Sequence, residues 1–195
     1  MYRLGSEKRI FSMRKFKFSG ILTLFIFFHS THQILSQEIR MESSQKNWSV
    51  FVPNDKKECF IASQSVKDEA FRNGEKLSSV NRDRGVLYVK KSSSSAAGFI
   101  GVFSAGYPLK VGSKILLTID GQKKIVFLSD PKPKNSNSKN WAWTQSHDDG
   151  KLVDQLKLGS KAIMEAISHR GTITKDTFVL TGFTKAIERL QKVCE

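Results

Sequence analysis

Apolar and polar positions alternate from residue 47: Trp48, Val50 and Val52 share one face of an extended chain, and Pro53-Asn54-Asp55 stops the run. This pattern predicts a strand closed by a turn. Residues 59–63, 85–89 and 99–103 are short runs rich in β-branched and aromatic side chains, and each reads as a further strand. The polar stretches between them, including the four serines at 92–95, read as loops. The sharpest expectation is a hairpin of residues 115–119 and 123–128 around Asp120-Gly121. A two-residue loop would set Leu117 opposite Lys124, whereas a three-residue loop through Gln122 sets Leu117 opposite Ile125 and Ile115 opposite Phe127. A one-residue slip exchanges the two faces of a strand, so apolar-on-apolar pairing selects the three-residue loop.

Residues 130–140 carry two prolines, three lysines, three asparagines and two serines, which makes them a surface loop. Beyond Trp141-Ala142-Trp143, helically spaced apolar residues from Leu152 to Leu156 predict a short helix near 149–158, ended by Gly159 in a left-handed cap. Residues 162–168 and 172–180 read as two strands joined at Arg170-Gly171. Phe183, Ala186, Ile187, Leu190 and Cys194 then fall at i, i+3, i+4, i+7 and i+11, a single apolar stripe along a C-terminal helix that must pack on a sheet. The fold class is mainly β (α+β): an antiparallel β-sandwich or partly open barrel with these two helices.

Residues 1–37 differ from the rest. Arg14, Lys15 and Lys17 precede an apolar run at 21–28 and a polar tail to Gln37, the order of a secretory signal peptide. The run is far shorter than the roughly 20 residues a spanning helix needs, so cleavage near residue 36 or 37 is expected. Met13 is read as the true start, and no cysteine stands near the cut to take a lipid. Residues 38–195 remain for a single domain.

Composition supports that organisation: 39% hydrophobic and 26% charged residues are near the average of soluble folded domains and exclude a disordered chain. From residue 38 onward, 26 Lys/Arg face 17 Asp/Glu, a net +9. Such a charge suits anionic envelope components. The lysines are nevertheless scattered singly or in pairs, as solvated strand ends and turns would be. Phe127, Trp141 and Trp143 lie near Lys132, Lys134 and Lys139, which superficially suits single-stranded nucleic acid. Export removes that substrate, and core packing accounts for the tryptophans.

The inventory for catalysis is thin. Of four histidines, His29 and His32 belong to the leader, leaving His147 and His169, so no metal site with close ligand pairs is expected. His147-Asp148-Asp149 reads as a solvated turn before the helix. Ser168-His169 invites a nucleophile-and-base reading, but neighbouring strand residues point to opposite faces. No nucleophile elbow, phosphate-binding glycine loop or dinucleotide fingerprint occurs. Cys59 and Cys194 are the two cysteines of the chain. An even count in an exported protein predicts a disulfide between them, against the competing arrangement of two separate buried thiols. The bridge would pin the C-terminal helix to the N-terminal half.

The ordered set Ser168-His169-Arg170-Gly171-Thr172, Thr174, Asp176, Phe178 and Leu180-Thr181-Gly182-Phe183-Thr184, with Ala186 and Cys194 behind it, resembles the invasion-associated locus B family of exported bacterial proteins. Trp48, Cys59, Ser63-Gln64, Gly106-Tyr107-Pro108, Asp120-Gly121, Ala142-Trp143, Leu152-Val153 and Gly159-Ser160 follow the same order upstream. The resemblance covers about residues 47–194. It implies a periplasmic, surface-associated or secreted protein, associated in pathogenic members with invasion of host cells, and implies no reaction, cofactor or metal. The expected partner is a protein, a host-cell surface or an anionic envelope component, and not nucleic acid. Gly106, Pro108, Gly171 and Gly182 are expected to set backbone shape, with Tyr107 and Phe183 in the same motifs. Arg170 is expected to hold Asp176 across the turn.

Overall fold

The computed structural model describes residues 38–194; the expected leader and its cleavage site lie outside the described residues. The strands are β1 (Ile39–Gln45), β2 (Trp48–Pro53), β3 (Phe60–Gln64), β4 (Lys67–Arg72), β5 (Glu75–Lys76), β6 (Val86–Lys91), β7 (Phe99–Ser104), β8 (Lys114–Ile119), β9 (Lys123–Ser129), β10 (Trp141–Thr144), β11 (Lys161–Ile167) and β12 (Ile173–Val179). Helix α1 (Asp149–Leu158) precedes β11, and α2 (Phe183–Val193) follows β12.

All twelve strands join one antiparallel sheet in the order β1-β2-β3-β6-β7-β10-β9-β8-β11-β12-β4-β5. Strands β3 and β4 stand far apart in that order, yet only Ser65 and Val66 separate them in the chain. The sheet must therefore curl until its flanks meet. Two hydrogen bonds mark the seam: Ser65 N–H donates to the Gly85 carbonyl and Val66 N–H to the Thr177 carbonyl, both at 2.8 Å. Of the two expected architectures, the partly open barrel is the nearer, since one continuous open sheet replaces the two packed sheets of a sandwich.

Alternation puts the expected faces inside. Trp48, Val50 and Val52 are buried, and in the β8–β9 hairpin Ile115 pairs with Phe127 and Leu117 with Ile125, the register of the three-residue loop. Helix α2 buries Phe183, Ala186, Ile187 and Leu190, and burying that stripe drives its docking. Trp48 is the centre of this contact: its ring meets Phe183 edge-on at 4.9 Å, and its Nε1–H donates to the Val179 carbonyl at 3.1 Å. Gly182, with φ 98°, precedes α2 directly beneath the Gln45 carbonyl, where no Cβ fits.

Two expectations need correction. Gly159 caps α1, but in extended backbone (φ −89°, ψ 164°) rather than the left-handed region. Its role is close packing, because a Cβ there would run into the side chains of Ile119 and Leu180. Strands β4 and β5 appear where a polar loop was read, and β1 and β10 are strands at residues that had been given no element. Among the described residues no helix is long and apolar enough to cross a membrane.

Candidate functional site

The alternation of β12 that buries Thr174 and Phe178 also turns Asp176 inward, and its carboxylate is fully buried. A buried carboxylate demands a cation, and Arg82 supplies it from the irregular segment between β5 and β6. Both Arg82 Nη atoms donate to Asp176, Nη1 also reaches the Ala105 carbonyl at 3.2 Å, and the guanidinium lies 5.4 Å from the Tyr107 ring centre. The Arg82 side chain is only 6% exposed. Two glycines shape this arrangement. Gly85 leaves the space the Asp176 carboxylate occupies, and Gly106, with φ 73°, lies against the backbone of Asp83. Burial pushes Asp176 up to about 6 against the opposing pull of Arg82. Desolvation is the largest single influence on Arg82 and opposes its charge, but the hydrogen bond and charge of Asp176, with smaller help from Tyr107 and Asp68, together outweigh it and raise that group.

Beside the pair, a cavity of about 420 Å³ opens between the β11–β12 turn and the Arg82 segment. Tyr107 lines it and hydrogen-bonds Thr174 Oγ1 at 2.5 Å; burial pushes the Tyr107 hydroxyl up to about 12. The turn itself is tight: Ser168 Oγ accepts from the N–H groups of Arg170 (3.3 Å) and Thr172 (3.1 Å), and Gly171 adopts φ 80°. His169 N–H donates to the Pro108 carbonyl at 3.0 Å, and the exposed imidazole rests near the same oxygen. Arg72 Nη2 donates to Thr172 Oγ1 at 2.8 Å. The expected Arg170–Asp176 pair does not form. Arg170 is exposed at the cavity rim, and the partner of Asp176 is Arg82, 94 residues away in the chain.

Thus Tyr107, Pro108, Arg170 and Asp176 converge on one end of the curled sheet, with Gly106 and Gly171 shaping the backbone around them. Gly182 and Phe183 stand at the other end of β12. Ser168 and His169 face different partners and form no nucleophile–base pair. His147 is exposed, with Nε2 3.5 Å from Asp148, while Asp149 turns inward and accepts from Thr144 Oγ1. Among the described residues no cluster of three metal-binding side chains occurs. At the far end Cys59 and Cys194 form a disulfide with Cα atoms 6.1 Å apart, tying the start of β3 to the end of α2.

A second feature lies outside the sheet. Phe51, Phe60, Tyr88 and Trp141 project outward from β2, β3, β6 and β10 and touch in sequence. Phe51 stacks on Phe60 at 5.0 Å, Phe60 meets Tyr88 at 5.7 Å, and Tyr88 meets Trp141 at 5.6 Å. Open grooves of about 520 and 310 Å³ flank Phe60 and Tyr88. This corrects the assignment of Trp141 and Trp143 to the core: Trp141 is half-buried and Trp143 is 36% exposed, because odd-numbered positions of β10 face out while Ala142 and Thr144 face in. Phe127, grouped with them on sequence, is fully buried.

With this geometry in hand, comparison with known proteins gives a consistent result. The family model described as invasion associated locus B (IalB) protein matches residues 48–191. Among solved structures, the crystal structure of invasion associated protein B from Bartonella henselae superposes with a TM-score of 0.53 at 16% identity, covering 79% of this chain and 97% of the other. At that identity the likeness is one of fold. No curated protein sequence matches.

Proposed function

Because the chain belongs to the invasion associated locus B family, we propose that it is an exported, non-enzymatic binding protein that serves invasion of host cells, and that the outer aromatic strip is its contact surface. The observation that carries this reading is the continuous row Phe51, Phe60, Tyr88 and Trp141, half-buried and bordered by open grooves on the outer face of the sheet. Tyr, Trp and Phe are the side chains enriched where proteins meet proteins, since each offers large rigid area at low entropic cost. Export is supported by the basic-then-apolar order of residues 1–37 and by a disulfide, which persists in oxidising compartments. A non-enzymatic role is supported by the dispersal of Ser168, His169 and His147, whose side chains serve turns and solvent rather than one reacting centre.

The deciding experiment deletes the gene in the native bacterium, fractionates the wild-type strain and scores host-cell invasion. Mature protein at the surface or in the medium, with invasion reduced in the deletion strain, is the expected outcome. Protein confined to the periplasm together with unchanged invasion sinks the reading. That result would favour a second one, an envelope housekeeping module that binds anionic envelope components, which the net +9 of residues 38–195 supports.

A further inference from the structure

We propose that the cavity at the β11–β12 turn is a binding site for a phosphomonoester, held between Arg72, Arg82 and Arg170. The cavity is lined by these three guanidiniums and His169, with no carboxylate among its lining residues. Asp176 neutralises Arg82 from behind, and Asp68, 3.8 Å from Arg82 Nη2, faces the neighbouring hollow. Arg72 and Arg170 have no acidic partner among the described residues, so two uncompensated positive charges meet at one opening. Two charges match a phosphate dianion better than a carboxylate monoanion. The planar donor fork of arginine matches phosphate oxygens in both spacing and direction.

An independent observation points the same way. Arg82 is nine-tenths buried at the cavity wall, yet its Nε–H has no hydrogen-bond partner. A buried donor left unsatisfied is unfavourable, and a ligand oxygen would satisfy it once a small shift of the cavity wall uncovers this nitrogen, which is shielded from water in the free protein. Arg82 is also held against sideways motion by Asp176, the Ala105 carbonyl and the Tyr107 ring. At about 420 Å³ the cavity exceeds what a bare phosphate fills. The phosphate should therefore be attached to a larger body, either a soluble sugar phosphate or a lipid headgroup. This site is separate from the outer aromatic strip, and its occupancy does not depend on any role in invasion.

The test uses the mature protein and three probes: inorganic phosphate, glucose 1-phosphate, and phosphatidylcholine vesicles with or without phosphatidic acid. Calorimetry serves the soluble probes and co-sedimentation the vesicles. Binding of glucose 1-phosphate more tightly than phosphate identifies a soluble ligand; binding only to the phosphatidic acid vesicles identifies a headgroup. In either case Arg72→Gln/Arg170→Gln, two exposed positions whose loss should not unfold the domain, is expected to weaken binding at least about tenfold. Lys185→Gln/Lys192→Gln, which removes the same charge from the far helix, should leave it unchanged. The proposal is overturned if no probe binds, if acetate competes as well as phosphate, or if the two double variants lose binding equally.

Discussion

The two ends of β12 are closed by opposite chemistry. Where the strand leaves the sheet, α2 covers the opening with an apolar stripe, Trp48 and Phe183 interlock, and the Cys59–Cys194 bridge fastens the helix to β3. Where the strand begins, a buried ion pair, a half-buried tyrosine and a tight turn surround a hollow of about 420 Å³. Hydrophobic burial stabilises without directional demands, whereas a buried ion pair barely offsets its own desolvation and holds only one geometry. The far end therefore carries stability, and the near end carries a fixed arrangement of charge. The charged end is where a ligand site is expected, because stability alone would have been served as well by apolar side chains.

Breaking the covalent end should have the largest effect. The bridge closes a loop with a sequence separation of 135, and Cys59→Ser/Cys194→Ser is expected to lose about 2 to 5 kcal/mol, nearer the upper figure for so long a loop. Denaturant titration of the oxidised, reduced and double-variant proteins checks this; equal midpoints would remove the bridge from the account of stability.

The charged end should respond differently to single and paired changes. Asp176→Ala leaves the buried Arg82 cation with only the more distant Asp68 carboxylate at 3.8 Å and is expected to cost about 3 kcal/mol, whereas Arg82→Met/Asp176→Leu, which removes both charges, should cost clearly less. If the paired change is the more damaging, the ion pair is a stabilising element and the contrast between the ends fails. The same carboxyl should make stability depend on pH. Asp176 has an ordinary value of 3.8 and is pushed up to about 6 in the fold, so between these values the native state holds a proton that the unfolded state has released. Its contribution is fully present below about pH 4 and is lost as pH rises through 6. Unfolding free energies of the wild type minus those of Asp176→Asn should fall from pH 4 to pH 6 and then level; a difference that rises over that interval would contradict the assignment.

What was legible in the sequence follows the same physical division. Strands with one buried face declare themselves by alternation, which is why the β8–β9 register could be read from Leu117 and Ile125 alone. The sequence of β1 gives no such signal, because Ile39 and Met41 are exposed on an edge strand, and β4 buries only Ala70. The disulfide followed from cysteine count and from the position of Cys194 on the α2 stripe. Asp176 stood at an inward position of β12, so its need for a cation was visible, but the identity of that cation was not. Arg82 lies in a polar segment with no periodicity, and only the curl of the sheet brings it to β12. Trp141 and Trp143 were misplaced because aromatic bulk usually means core, while in a four-residue strand the inward positions belong to Ala142 and Thr144.

The central claim is that the outer aromatic strip, away from both ends of β12, is the working surface of an exported binding protein. The most direct measurement complements a deletion strain with wild type and with Tyr88→Ser/Trp141→Ser, which removes two aromatic contacts and should cost about 2–3 kcal/mol of stability. The account predicts a variant that is exported, oxidised and folded at wild-type levels while host-cell invasion stays at the level of the deletion strain. Full restoration of invasion by that variant would contradict it.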